Sequence, residues 1–117
     1  VTDKKDPRTA KVYVVQEMPN HDIAAAMSFG EMVVLLPFNT QIAFSTAPAV
    51  RLLKRKLREY SDQDFLLLTG DPVAIGLSCA IAAAYNSGSF TALKWDRREK
   101  LYIPVRLDIT EKGEHDD

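Results

Sequence analysis

Residues 64–84, DFLLLTGDPVAIGLSCAIAAA, decide how the chain folds. Phe65-Leu66-Leu67-Leu68 is a continuous apolar run, too short for a helix and bounded by turn-forming residues, so it reads as a strand covered on both faces. Thr69-Gly70-Asp71-Pro72 follows with capping side chains ahead of a proline, and proline is tolerated in a helix only at its first turn. A helix therefore starts at Pro72. From Val73 to Ala84 it carries hardly any polar residue, so it is expected to be buried on most sides until Asn86-Ser87-Gly88-Ser89 stops it. A covered strand that passes through a cap into an apolar helix is the repeating unit of an α/β domain.

Working outward, Ser45-Thr46-Ala47-Pro48 repeats the cap-then-proline start, with a hydroxyl cap supplied by this segment. Val50, Leu53, Leu57 and Tyr60 then fall on one helical face, which predicts an amphipathic helix to about Tyr60. Val12 to Val15 is a β-branched and aromatic run ending before Met18-Pro19-Asn20, and residues 20–30 read as a connection. Met32 to Leu36 is continuously apolar and is expected to be a central strand, with Gln41 to Phe44 returning antiparallel beside it. On the C-terminal side, Phe90 to Trp95 and Leu101 to Ile109 form two strands joined by a charged loop at Asp96 to Lys100. In the second of these, Leu101, Ile103, Val105, Leu107 and Ile109 alternate with Tyr102, Pro104, Arg106 and Asp108. The apolar row is the expected inner face, and Pro104, lacking a ladder donor, marks an edge strand.

The fold class that follows is α/β, a single domain of two or three layers, with a mixed sheet of about five or six strands and two main helices. Its competitor is a segregated α+β packing with both helices on one face. The domain spans 10–110, between a polar segment at 1–9 and an acidic tail at 111–117 that are both expected to be flexible.

The balance of 15 Lys and Arg against 16 Asp and Glu gives no global attraction to polyanions. One cysteine, Cys79, excludes an internal disulfide framework and any multi-cysteine metal site. No apolar run is long enough to span a membrane and the polar start does not read as a signal peptide, so neither insertion nor secretion is expected. No cofactor is implied.

Chemistry is better sought in local clusters. Arg51, Lys54, Arg55 and Arg58 fall on one helical face, opposite the apolar stripe. Between residues 50 and 106 there are ten basic and six acidic residues, so the near-neutral total hides a basic middle. Such a face suits the phosphates of a nucleic acid, or an acidic protein, and it also suits plain solvation. The acidic tail is a further candidate cover. A second candidate is the hairpin Lys94-Trp95-Asp96-Arg97-Arg98-Glu99-Lys100, where Trp95 with Arg97 and Arg98 offers stacking and anionic contacts, or else caps the core. A third is the pair of helix starts, where Ser45, Thr46, Thr69, Gly70 and Asp71 would hold a small anion if their strands lie side by side. Neither a dinucleotide glycine fingerprint nor a phosphate-loop lysine accompanies them. No catalytic residue is assigned: Cys79 falls in the apolar helix, the set Glu17, His21, Asp22 matches no standard metal spacing, and Asp62, Asp64 and Asp71 read as turn and cap residues.

The stretch from Phe65 to Leu77, with Leu93-Lys94-Trp95-Asp96-Arg97 and Tyr102-Ile103-Pro104-Val105, resembles uncharacterised small proteins of tailed-phage and marine viral genomes across residues 11–109. That resemblance implies an intracellular, cytoplasmic product acting in an infected bacterium, in an accessory binding role. The expected function is thus a small binding protein contacting nucleic acid through its basic helix. The alternative is a homo-oligomeric interaction module pairing through an edge strand near Leu101 to Ile109, and the third is a small-anion-binding enzyme.

Overall fold

The computed structural model describes residues 8–19 and 22–111, which leaves most of the two expected flexible segments outside it. Five strands form one sheet in the order β2-β1-β3-β4-β5. They are β1 Lys11–Gln16, β2 Glu31–Leu36, β3 Phe65–Leu67, β4 Ser89–Asp96 and β5 Leu101–Asp108. The first four run parallel, and β5 returns antiparallel to β4 through the expected charged loop. The two helices are α1, Thr46–Lys56, and α2, Pro72–Tyr85.

Strand polarity explains the layering. The chain steps one way from β1 to β2 and the other way from β2 to β3, so right-handed crossovers place their coverings on opposite faces. Tyr13, Val15 and Leu66 accordingly pack with Leu53 and Leu57 of the α1 region and with Ala74, Ile81 and Ala82 of α2. Val12, Val14, Leu67, Leu93 and Tyr102 pack on the other face with Ala26 of a short 3₁₀ turn, Ala24–Phe29. Both α-helices share one face, as in the α+β competitor, yet the parallel order is that of a wound α/β sheet. β1 is buried from Val12 to Gln16 because it lies inside both layers.

Several expectations are corrected. Met32 to Leu36 is not central: β2 is an edge strand, fully covered only at Leu35 and Leu36. An apolar run does not show which strands flank it, nor that both of its faces are covered along its whole length. The Nζ of Lys56 donates to the carbonyls of Val34 (3.0 Å) and Leu35 (3.2 Å), supplying donors beside this edge. Gln41 to Phe44 is not a strand. Ile42–Phe44 is a 3₁₀ turn that inserts Ile42 into the core and leaves Phe44 exposed while the chain turns into α1. Helix α1 stops at Lys56, four residues early, because Tyr60 leaves the helix to bridge two strands. Its hydroxyl donates to the Asp64 carbonyl (3.3 Å) and accepts from the Thr91 amide (3.0 Å). Ser45 precedes α1, but its hydroxyl makes no capping bond.

Asp71 does cap α2, accepting from the Val73 amide at 2.8 Å, with Pro72 at the first position. α2 is buried on the sheet side only. Its outer face, Val73, Gly76, Ala80 and Ala84, is apolar and open to solvent. The expected inner row of β5 is also left largely open: Leu101, Ile103 and Leu107 are 44%, 40% and 43% exposed, and the buried residue of this strand is Tyr102 of the other row, at 7%. The cause is geometric, since α2 packs over β1 and β4 and β5 extends past it.

Candidate functional site

The three candidate surfaces are separated by the fold. Arg51, Lys54 and Arg55 project from the outer face of α1, and Arg58 follows in the turn after it; all four are exposed. Among the described residues none of the four side chains is engaged in a hydrogen bond or an ion pair. Like charges spaced three and four apart repel by a few tenths of a kcal/mol each, roughly 0.2–0.5, which the negative C-terminal end of the helix dipole partly offsets. A bound anion would relieve the remainder.

Tertiary structure adds to this face what spacing could not show. A groove of about 300 Å³ runs between α1 and the start of β1, lined by Lys11, Tyr13, Arg55, Lys56, Arg58 and Glu59, with Val33 beneath. Four cations face one carboxylate there. Lys11 is 44 residues from Arg55, so no local pattern links them, and Lys56 lies off the stripe that the four-residue face defines.

Trp95 lies on the other side of the sheet. Its ring meets Tyr102 edge-on at a centroid distance of 4.9 Å, and Tyr102 belongs to the cluster under the Ala24–Phe29 turn. Trp95 ends a strand parallel to β1, whereas Lys11 begins β1, so hairpin and groove occupy opposite ends as well as opposite faces. Arg97 and Arg98 of the hairpin therefore do not extend the basic face of α1. The loop itself is ordered by Asp96, whose carboxylate accepts from the amides of Arg98 (2.9 Å) and Glu99 (3.3 Å). Trp95 is 43% exposed and walls a cleft of about 580 Å³ shared with Asp22, Leu67, Thr69, Leu93 and Tyr102.

The two helix starts emerge at the same end of the sheet, but β1 stands between β2 and β3. In this strand order the crevice where wound folds receive ligands is at the β1–β3 junction. Here Gln16, 5% exposed, fills it. Its Nε2 donates toward the carbonyls of Pro37, Phe38 and Thr40 at 3.2–3.3 Å, and its Oε1 accepts from the Asp71 amide at 2.9 Å. The Thr69 hydroxyl donates to the Gln16 carbonyl at 2.7 Å. Gly70 has φ +99°, and a Cβ there would overlap the Gln16 side chain. Thr69, Gly70 and Asp71 thus serve the closure of the junction, while Ser45 and Thr46 stand exposed at the other helix start.

The acidic residues have separate structural roles. Asp64, fully buried, accepts from Arg8, from the Lys11 amide (2.9 Å) and from the Ser61 amide (2.9 Å), tying the start of β1 to β3. The Asp62 carboxyl is held below the usual range by the Asn86 side-chain amide, with Arg106 and Ser89 adding to it. Burial pushes the Cys79 thiol up, away from nucleophilic character. His21, of the set with Glu17 and Asp22, lies outside the described residues. Among the described residues no group of three or more His, Cys, Asp or Glu is placed to hold a metal, and no helix is long and apolar enough to cross a membrane.

Neither a search of curated proteins nor one of solved structures finds a match to the chain. Residues 10–109 match the family described as Phage Pam3 gp32-like protein, in keeping with the resemblance read from the sequence, and the chain belongs to that family.

Proposed function

We propose that this phage-type protein is a small nucleic-acid-binding protein whose contact surface is the outer face of α1 and the groove beside it. One observation carries the reading: Arg51, Lys54, Arg55 and Arg58 are exposed, and among the described residues no acidic partner neutralises them. Surface arginines on most folds are interspersed with carboxylates, whereas the groove adds Lys11 and Lys56 against Glu59 alone. Guanidinium groups favour phosphate over a point contact because they donate in a planar fork. The test is a fluorescence anisotropy titration with labelled single- and double-stranded oligonucleotides. Binding that weakens in the Arg51→Ala/Arg55→Ala/Arg58→Ala protein supports the reading, and equal binding by both proteins removes it.

A homo-oligomeric interaction module is the second reading, favoured by the exposed row Leu101, Ile103 and Leu107 and by the apolar outer face of α2. Strand-to-strand pairing along β5 is disfavoured by Pro104. The Ile109 amide donates to the Gly88 carbonyl at 2.8 Å, and counting back in twos places Pro104 opposite Leu93 in a non-hydrogen-bonded pair, with its nitrogen on the free edge. Association would then use faces of the sheet and α2 instead of its edge. Light scattering decides, because a mass that stays monomeric as concentration rises counts against this reading.

A further inference from the structure

We propose that the cleft at the carboxyl ends of β3 and β4 is a nucleobase site, with guanine as its preferred occupant. With the β1–β3 crevice filled by Gln16, this cleft is an opening at the strand ends, the side on which wound sheets receive ligands. Its volume of about 580 Å³ falls within the range of ligand pockets, about 300–1,000 Å³. Leu67 and Leu93 make an apolar floor. The Trp95 indole, part exposed and braced edge-on by Tyr102, offers a flat wall on which any base stacks.

Selectivity comes from Asp22. Its Oδ1 is fixed by the Ala24 amide at 3.0 Å, and its charge reaches Tyr102, where it adds to the dominant effect of burial in raising the phenol. An ionised carboxylate accepts and cannot donate, so it selects a ligand edge made of donors. Guanine presents two adjacent donors, N1–H and the N2 amino group. Uracil presents one N–H between two carbonyl oxygens, which the carboxylate repels. This site is separate from the face of α1 and does not depend on it.

Trp95 is the single tryptophan, so its fluorescence, excited beyond nucleoside absorption, reports on binding at this ring, and the Asp22→Asn comparison ties the signal to the cleft. Uncharged guanosine and uridine are titrated into the full chain, then into Asp22→Asn, whose side-chain oxygen keeps the bond to the Ala24 amide. Guanosine is expected to quench saturably and to bind about ten- to hundredfold more tightly than uridine, the difference collapsing in Asp22→Asn. No saturable quenching, equal affinity for both nucleosides, or an unchanged preference in Asp22→Asn overturns the proposal. The preference is measured on the unaltered chain, so it stands even if the variant fails to fold. A single-stranded oligothymidine carrying one guanine separates sources: tighter binding than guanosine, still sensitive to Asp22→Asn, assigns the base to a strand, and equal binding assigns it to a free nucleoside. Because guanosine and uridine are uncharged, their comparison is independent of whether α1 binds phosphate.

Discussion

Replacing Gln16 with Met keeps the length of the side chain and removes every polar bond it makes. In the folded chain that leaves the Asp71 amide without its acceptor and takes the Nε2 donor away from three loop carbonyls. An unsatisfied buried donor costs about 1–3 kcal/mol; all four of these bonds are part buried, so water offsets some of the loss at each partner. The expected loss is about 2–4 kcal/mol in urea unfolding with an unchanged denaturant slope, or a fall in Tm of about 10–20 °C. Gln16→Glu is expected to be worse than Gln16→Met at neutral pH, since a carboxylate would face three carbonyl oxygens. Its folded-state pKa would be raised, so stability returns as pH falls and the acid regains a donor. A cost below about 0.5 kcal/mol for Met, or a Glu variant more stable than the Met variant, refutes the view that this amide closes the junction.

Tyr60→Phe is expected to cost about 1–3 kcal/mol, because the Thr91 amide loses its acceptor within the sheet, and chemical denaturation measures it. The same phenol is pushed up to about 12, chiefly by burial. Between pH 10 and 12 the unfolded chain releases this proton and the folded chain keeps it, so stability present below pH 10 is lost by about 1.4 kcal/mol per pH unit. In Tyr60→Phe that slope is shallower, and an identical alkaline profile would contradict the burial argument. Arg106→Ala is expected to change stability by less than about 0.5 kcal/mol, because its pair with Asp62 is exposed at both ends. Leu57→Ala, by contrast, removes a fully buried side chain and is expected to cost about 2–5 kcal/mol by calorimetry.

Elements defined by local chemistry were legible in the sequence. Asp71-Pro72 starts α2 because a carboxylate cap and an N1 proline act within one turn, and Pro104 marks an edge because its missing donor is a property of the residue itself. What depended on neighbours was not legible. The run Met32 to Leu36 looks the same at an edge as at a centre, and the apolar row of β5 faces outward because α2 ends its coverage one strand earlier. For the same reason α2, apolar all round, keeps an open side. The candidate surfaces follow this division. The exposure of Arg51, Lys54, Arg55 and Arg58 was read from helical spacing, whereas Lys11 joined them only through the crossover that brings β1 under α1. Asp22 reached Trp95 through folding alone, and Gln16, at the end of the apolar run Val12 to Val15, carried no signal of its role at the strand junction.

The central claim is that the outer face of α1 neutralises phosphates. The slope of log K against log salt for a DNA duplex measures this directly, because each neutralised phosphate contributes about 0.9. Relative to the unaltered chain, the protein lacking Arg51, Arg55 and Arg58 is predicted to bind with a slope shallower by about 2–3. A slope near zero for the unaltered chain, or the same slope in both proteins, would contradict it.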